Sequence, residues 1–323
     1  MPTDNTPLVS VVIPAYNHEA YVQQTIRSII AQTYINMELL VLDDGSKDAT
    51  LAKMQEIKEE CQSRFVSVWF HTHANSGTCA TLNALLQQAT GKYVYLIASD
   101  DVAKPQAIQR LVDILEADAQ CVLAVGDNEF IDSAGNRVFK NSKKEVVADE
   151  SEATYKTFAG QFGYNNLAKY LGEQFGSYES LLQGNYIPNG YLMRRDSLDQ
   201  VGGYCVDAPL EDYYMALQLS KLGTMRFINE ILFSYRLHNT NTAANTEHML
   251  SLTRKTLLYE SQLVAFTPAT CFYKLFQGYM SRRHYLFSIK SLFSLYRVRN
   301  RLVSELYVEI MGISIKLRGK KRY

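Results

Sequence analysis

Three short groups of polar residues each follow a run of aliphatic residues, and they offer the clearest chemistry in the chain. Residues 14–17 follow the first run, Asp43 and Asp44 the second, and Asp100 and Asp101 the fourth. Ligands of open parallel sheets bind at the carboxyl ends of the strands, so the three groups are expected at one edge of a sheet. A carboxylate after the second strand suits hydrogen bonding to a base or ribose, whereas adjacent carboxylates after the fourth suit a hard divalent cation.

A divalent cation at the Asp100-Asp101 pair suggests phosphate chemistry. Mg²⁺ or Mn²⁺ neutralises a diphosphate and helps it to leave, which is the Lewis-acid use of a metal. The sequence contains neither G-x-G-x-x-G nor G-x-x-x-x-G-K-[ST], the glycine-rich motifs that cradle phosphates. The phosphates of a bound nucleotide are therefore expected to be held by a metal rather than by a backbone loop.

The pattern of residues 8–126 predicts the elements that position these groups. Short aliphatic runs alternate with amphipathic stretches, which is typical of βαβ units on a parallel sheet. Strands are predicted at 9–13, 38–42, 65–70, 93–97 and 121–125, with helices between them. Beyond an irregular stretch at 133–185, the pattern predicts a strand at 191–194, a helix at 211–222, and strands at 225–228 and 231–236.

The composition is that of an ordinary globular chain. Of 323 residues, 47% are hydrophobic and 20% are charged, which excludes disordered and collagen-like classes. The five cysteines lie far apart without a C-x-x-C pair, so we expect a reducing compartment and no disulfide framework or thiolate metal site. Without a signal-like start or a long apolar run, the expected location is the cytoplasm, with any membrane contact peripheral.

The net charge of zero conceals a strong asymmetry. Residues 264–323 carry twelve Lys or Arg against two Asp or Glu, which leaves 21 basic and 31 acidic residues elsewhere. Aromatic and aliphatic residues interleave with the basic ones, so this tail is predicted to pack as helices on the rest of the chain, to lie on anionic lipid, or both. Nucleic acid is not an expected partner, because the rest of the chain is acidic and carries no recognition motif.

An ordered series of motifs resembles the family 2 glycosyltransferases. The series begins with VSVVIPAYN at 9–17, SIIAQT at 28–33 and ELLVLDDGSKD at 38–48. NSG at 75–77, Asn83 and GKYVYL at 91–96 follow before the Asp pair, and the ordered series is more specific than any single motif. The resemblance implies an α/β fold of the glycosyltransferase A type, with one nucleotide-binding domain and a mostly parallel central sheet. It also implies transfer of a sugar, with inversion, from a nucleotide diphosphate donor.

The resemblance assigns a nucleotide site residue by residue. In the family, the nucleobase and ribose are held at positions that match Pro14, Ala15, Tyr16 and Asp44, and a ribose-side carboxylate matches Asp100. The full set expected to bind the nucleotide is Pro14, Ala15, Tyr16, Asn17, Asp43, Asp44, Gly77, Asn83 and Asp100.

A metal site follows from the same resemblance. Asp101 matches the family's metal ligand, and the segment 235–238 resembles a Tyr-Arg-x-His motif whose histidine can approach the metal or diphosphate. Asp101, Asp100 and His238 are therefore the expected ligands of Mn²⁺ or Mg²⁺. Many relatives carry a further Asp where this chain has Ala98, so the site is expected to depend more heavily on Asp101.

The catalytic base is expected in the pair Glu211-Asp212, which resembles the family's Glu-Asp pair. In the family the Asp of this pair is the general base, so Asp212 is assigned that role. Inversion needs one carboxylate to take the proton from the acceptor hydroxyl as it attacks. The Gln-x-x-Arg-Trp motif of processive synthases is absent, so one sugar per encounter is expected.

Together these features predict a catalytic domain over 1–246, with a nucleotide-binding half at 1–126 and an acceptor-binding half at 127–246, and a helical extension at 247–323. The predicted enzyme is a metal-dependent hexosyl- or N-acetylhexosaminyltransferase that uses a UDP-linked donor. Its predicted acceptor is a lipid-linked or surface-polysaccharide glycan at the inner face of the cytoplasmic membrane. Tyr186, Asn189 and Gly190 are expected near the sugar and acceptor.

Two other functions stay open at this point. A nucleotidyltransferase shares a similar layout but usually needs a glycine-rich first loop with a basic residue, which residues 14–17 do not provide. A scaffold could bind a nucleotide sugar or glycan and use its basic tail as a membrane tether. The acidic pairs also have structural interpretations: a turn with a helix cap at 43–46, a helix start at 100–105, and first-turn acids at 211–212.

Overall fold

A computed structural model of the chain describes residues 6–163, 165–238, 241 and 246–263. The chain divides into two compact units, Met1–Ser180 with Tyr186–Asn245, and Leu181–Asn185 with Thr246–Tyr323. Every residue of the predicted site belongs to the first unit. The basic, aromatic tail at 264–323 lies outside the described residues.

The first unit alternates strands and helices, as the sequence predicts. Its first elements are β1 (Val9–Ala15), α1 (Val22–Ile30), β2 (Met37–Asp43), α2 (Thr50–Glu56), α3 (Lys58–Arg64), β3 (Val68–Thr72), α4 (Thr78–Gln88), β4 (Tyr93–Leu96), β5 (Val102–Ala103), α5 (Ala107–Ala117) and β6 (Cys121–Ile131). These are followed by β7 (Arg137–Lys140), β8 (Val146–Val147), a 3-10 turn (Glu150–Glu152), α6 (Phe158–Gly163), α7 (Ala168–Leu171), α8 (Tyr178–Leu181), β9 (Leu192–Arg194), α9 (Arg195–Val201), α10 (Glu211–Leu219) and β10 (Thr224–Arg236). The second unit contains α11 (Thr246–Leu263).

The strands form one central sheet in the order β3-β2-β1-β4-β9-β6-β10-β5, with β7 paired to β6 and β8 paired to β7. Strands β3, β2, β1 and β4 pair in parallel, and so do β6 and β10. Strand β9 lies between β4 and β6 and is antiparallel to both, so β6 and β10 point the same way as β1 and β4. This confirms the predicted α/β fold with a mostly parallel sheet.

Burial explains why the first strands have uninterrupted aliphatic sequences. All seven residues of β2 are buried, and helices such as α1 and α5 pack their apolar residues into the same core, including Ile26, Ile29, Ile108, Leu111 and Leu115. A parallel sheet covered on both faces needs apolar residues on both sides of each strand. The carboxyl ends of β1, β2 and β4 are therefore fixed at one edge by a rigid core.

The structure corrects several predicted boundaries. Strand β6 continues to Ile131 instead of ending at residue 125, because its polar residues are buried against partners distant in sequence. The two strands predicted at 225–228 and 231–236 are one strand, β10, whose register shifts between Ile228 and Ile231. Helix α10 ends at Leu219 instead of residue 222. The single helix predicted after residue 50 is two helices, α2 and α3.

Position 190 requires glycine because of its backbone conformation and because the Phe233 ring packs against it. Its φ is +74°, and a Cβ added there would lie 2.1 Å from Cδ2 of the buried Phe233 ring. We expect Gly190→Ala to lower the free energy of unfolding by about 2–4 kcal/mol, through overpacking and left-handed strain. Urea denaturation measures this loss. Gly202→Ala is the matched control, because Gly202 has φ +79° and open space around its Cβ; equal losses in both variants would contradict the packing argument.

Candidate active site

The polar groups after β1 and β2 lie side by side at one edge of the sheet. The Asp44 amide donates to the Ala15 carbonyl at 2.8 Å. Asn17 has a left-handed φ of +52°; its amide donates to Ser46 Oγ at 2.9 Å, and its Oδ1 accepts from the Lys47 amide at 2.8 Å. These bonds join the end of β1 to the turn after β2.

Both carboxylates of the Asp43-Asp44 pair bond to neighbouring loops. Asp43 accepts from the Ser46 amide and from the Thr72 hydroxyl, the latter at 2.8 Å. Asp44 accepts from the amides of Ser76 at 2.7 Å and Gly77 at 3.0 Å. The two carboxylates therefore connect the turn after β2 to the end of β3 and the loop that follows it. Tyr16, which follows β1, is 41% exposed.

Gly77 and Asn83 also make internal contacts. Gly77 precedes α4 with φ +86° and ψ 160°, a conformation that only glycine adopts readily. The Asn83 side chain donates from Nδ2 to the Tyr204 carbonyl at 2.7 Å, and its Oδ1 accepts from the Tyr204 backbone amide at 2.7 Å. Asn83 thus ties α4 to the segment that leads into α10.

A second cluster lies where the loop after β4 meets the end of β10. Asp100 Oδ2 is 2.9 Å from His238 Nε2 and 3.8 Å from His18 Nε2. One candidate ligand atom from each residue lies within 4.8 Å of the others, and no further group of three such side chains was found in the described part of the chain. Carboxylate and imidazole are common ligands of divalent metals, so these residues fit a metal ion. His18 was not among the predicted site residues.

Neighbouring side chains hold the two imidazoles in place. Ser99 Oγ lies 2.7 Å from His18 Nδ1, which leaves Nε2 facing Asp100. The Tyr21 ring stacks on the His238 ring at 5.1 Å. Burial lowers the pKa of His18, and the nearby Asp100 charge opposes this without reversing it. A neutral imidazole, the form that binds metals, is therefore favoured at neutral pH.

Asp101 is deeply buried beside this cluster. Its side chain is 1% exposed, and its Oδ1 accepts from the Arg236 amide at 2.8 Å. Burial, with a further contribution from Asp100, raises the pKa of Asp101 well above its usual range. In this structure its carboxyl group fastens the loop after β4 to β10.

Arg236 connects the elements that surround the cluster. Its side chain is fully buried, and its Nε donates to the Asp100 carbonyl at 2.6 Å. Its other guanidinium nitrogens donate to the carbonyls of Asp132 and Ser133 and to the Gln24 side chain. This network explains the Tyr-Arg-x-His spacing, because one arginine positions the backbone of Asp100 and places His238 beside its carboxylate.

Glu211 and Asp212 lie in the first turn of α10 and are partly exposed. Burial raises the pKa of Tyr191, and the charges of Asp212 and Glu211 raise it further. Burial likewise raises the pKa of Tyr235, with added contributions from Asp101, Asp100 and Asp212. Asp212 and the Asp100-Asp101 pair therefore both contribute to raising the pKa of the partly buried Tyr235.

The residues predicted near the acceptor are more buried than a binding wall requires. Tyr186 is 1% exposed, and its hydroxyl accepts from the Gly176 amide at 2.9 Å and lies 2.7 Å from Ser180 Oγ. Gly190 packs under the Phe233 ring, while Asn189 is partly exposed. Tyr186 contributes to packing in this structure, and Asn189 is the member of the set with the most accessible side chain.

Comparisons with known proteins agree with this architecture. Residues 10–200 match the sequence profile of the family described as "Glycosyl transferase family 2". An uncharacterized glycosyltransferase of Haemophilus influenzae is 32% identical over 261 residues, which cover 80% of this chain and 74% of that protein. Chondroitin synthase of Escherichia coli is 28% identical over 239 residues, 73% of this chain but only 30% of the synthase.

Solved structures share the fold at low sequence identity. The mannosyltransferase PcManGT from Pyrobaculum calidifontis, in complex with GDP-Man and Mn²⁺, superposes with a TM-score of 0.61 at 16% identity, over 97% of this chain and 81% of that one. TarS 1–349 of S. aureus, in complex with UDP-GlcNAc, gives 0.57 at 17% identity, over 89% and 75%. The profile match spans more than half of the chain, and the fold is of the glycosyltransferase A type. The chain therefore belongs to glycosyl transferase family 2.

Proposed function

We propose that this glycosyltransferase moves one sugar, with inversion, from a nucleotide diphosphate sugar to a hydroxyl group of a glycan acceptor. The observation that carries the proposal is the pairing of Asp100 with His238 at 2.9 Å, at the sheet edge where ligands of such folds bind. The catalytic domain is proposed to span residues 1–246, with the nucleotide in its first half and the acceptor in the part from 127 onward.

The nucleotide is proposed to lie against the edge formed by residues 14–17 and the Asp43-Asp44 turn. The exposed Tyr16 ring offers a face on which a base can stack. Asp100 and His238 are the proposed holders of a divalent cation, Mn²⁺ or Mg²⁺. Asp101, the main ligand that the resemblance implies, is proposed instead to hold the loop that carries Asp100, because its carboxyl group accepts from the Arg236 amide. When bound, such a cation neutralises the diphosphate leaving group.

Asp212 is the proposed general base, with Glu211 beside it. Inversion requires a carboxylate that removes the acceptor proton while the hydroxyl attacks from the face opposite the leaving group. Burial raises the pKa of Tyr235, with further contributions from Asp101, Asp100 and Asp212, and this shared neighbour supports the assignment. The segment that carries Tyr186, Asn189 and Gly190 is proposed to lie near the sugar or acceptor.

The donor is proposed to be a UDP-linked hexose or N-acetylhexosamine. Structural neighbours are complexes with UDP-GlcNAc and with GDP-Man and Mn²⁺, which supports a nucleotide-sugar donor and a metal. A lipid-linked or surface-polysaccharide glycan is the proposed acceptor, and the protein is proposed to act peripherally at the inner face of the cytoplasmic membrane. The basic tail at 264–323 supports that location. No helix among the described residues meets the length and hydropathy needed to span a bilayer.

Calorimetric titration with UDP, GDP, dTDP and CMP tests the proposal. In the presence of Mn²⁺ we expect one nucleoside diphosphate to bind. EDTA is expected to abolish that binding, because a cation held by Asp100 and His238 would supply the positive charge that the diphosphate needs. The sugar donors of that nucleotide are then assayed for transfer to glycan acceptors. If no nucleotide binds with or without Mn²⁺, the scaffold interpretation is favoured and the proposal fails.

A further inference from the structure

We propose that His18 is a third protein ligand of the divalent cation, so that two imidazoles and one carboxylate select Mn²⁺ over Mg²⁺. This inference rests on the proposed function, because it concerns the cation that the donor site would bind. It assigns a role to a residue between β1 and α1 that the motif series does not single out.

The distance from His18 to Asp100 fits shared coordination of a cation better than a hydrogen bond. His18 Nε2 lies 3.8 Å from Asp100 Oδ2, which is too long for a hydrogen bond. Neighbouring ligands of an octahedral cation with bonds of about 2.1 Å lie about 3 Å apart, and opposite ones lie somewhat over 4 Å apart. Asp100 Oδ2 lies 2.9 Å from His238 Nε2, close to the spacing of neighbouring ligands, and 3.8 Å from His18 Nε2, between the spacings of neighbouring and opposite ligands.

The second nitrogen of His18 is already engaged. Nδ1 lies 2.7 Å from the hydroxyl oxygen of Ser99, which is itself buried. Metal-binding histidines commonly use one nitrogen for the ion and the other for a neighbouring polar group that fixes the ring. Ser99 directly precedes Asp100, so one short loop supplies a ligand and orients another.

The donor set determines which cation is preferred. Mg²⁺ favours oxygen ligands and water, whereas imidazole raises affinity for the later divalent metals. Two imidazoles and one carboxylate would supply three ligands, fewer than the six that such a cation takes, so phosphate oxygens and water could supply the others. Removal of His18 should therefore weaken Mn²⁺ binding more than Mg²⁺ binding and reduce the preference between them.

The test is Mn²⁺ binding by the full chain, measured by electron paramagnetic resonance without nucleotide and then with UDP or GDP. We expect His18→Gln to weaken Mn²⁺ affinity by at least about tenfold, and Ser99→Ala to weaken it less, because the ligand remains but loses its orienting contact. Mg²⁺ affinity, measured by competition, should change less than Mn²⁺ affinity. His71→Gln is the matched control, since His71 is an exposed histidine on β3 that stacks on Trp69.

Electron spin echo modulation separates a ligand from a structural residue by counting bound nitrogens. Wild type should show coupling of Mn²⁺ to two imidazole nitrogens and His18→Gln coupling to one. If His18→Gln does not fold, the number of nitrogens in wild type and the Mn²⁺ affinity of Ser99→Ala still test the inference. Unchanged Mn²⁺ affinity and unchanged nitrogen coupling in His18→Gln would overturn the inference. Unchanged Mn²⁺ affinity with weakened UDP or GDP binding would make His18 a diphosphate contact and overturn it as well. If wild type binds Mn²⁺ through two nitrogens but binds no nucleotide, the proposed function fails while the metal assignment stands.

Discussion

Asp212→Asn is expected to lower kcat by about 10²–10⁴-fold while leaving Mn²⁺-dependent nucleotide binding roughly unchanged. The amide is nearly isosteric with the carboxylate but cannot accept the acceptor proton. Asp212 lies in the first turn of α10, whereas the proposed nucleotide and metal residues lie on the loops after β1, β2, β4 and β10. A base that acts only on the acceptor should therefore affect transfer and spare donor binding. Single-turnover transfer and calorimetric nucleotide binding measure the two effects separately.

Two carboxylates near Asp212 serve as controls. Asp207→Asn alters an exposed acid in the segment before α10 and is expected to leave both measurements unchanged. Glu211→Gln removes the neighbouring charge and is expected to reduce kcat less than Asp212→Asn does. Full transfer activity in Asp212→Asn would remove the base assignment, and a larger loss in Glu211→Gln would transfer that role to Glu211.

The fold was predictable where local pattern and burial agree. Strands β1 and β2 are buried throughout or nearly so, so their aliphatic sequences identify them without knowledge of the neighbours. The end of β6 was not predictable, because Asp127 and Glu129 are polar yet buried there. Asp127 accepts from the Ala159 amide and Glu129 accepts from Lys104 and from the Ser234 hydroxyl. These partners come from distant parts of the chain, so no local pattern reveals that the strand continues.

The candidate site was likewise predictable where its features are local in sequence and not where they depend on distant residues. The series of motifs correctly brings residues 14–17 next to the Asp43-Asp44 turn, since strand ends are local features of a parallel sheet. His18 was missed, although it directly follows Asn17. Its partners are about 80 and 220 positions away in the sequence, and only the folded structure shows that they lie beside it. Tyr186 was expected near the sugar and acceptor, and the structure shows that its side chain is buried. Its contacts with Tyr170 and Phe175 were not predictable from spacing.

Asp100 and Asp101 should differ sharply when each is replaced by Asn. Asp100→Asn is expected to weaken Mn²⁺ binding by at least about a hundredfold, equivalent to about 2.8 kcal/mol, because it removes the negative charge between His18 and His238. Asp101→Asn keeps an oxygen that can accept from the Arg236 amide. It is expected to change the free energy of unfolding by less than about 1 kcal/mol and to leave most Mn²⁺ affinity in place. Mn²⁺ titration and urea denaturation of both variants provide the measurements.

Asp101→Ala completes the comparison, because alanine leaves the buried Arg236 amide without its acceptor. Such a loss is expected to lower the free energy of unfolding by about 1–3 kcal/mol. Any decrease in metal affinity in this variant is then indirect, because the loop after β4, which carries Asp100, is held less firmly. The sequence resemblance instead makes Asp101 the main ligand. If Asp101→Asn loses Mn²⁺ binding as fully as Asp100→Asn while its denaturation midpoint stays unchanged, the resemblance is right about Asp101. If the loss is confined to Asp100→Asn, the first carboxylate binds the cation and the second holds the loop in position.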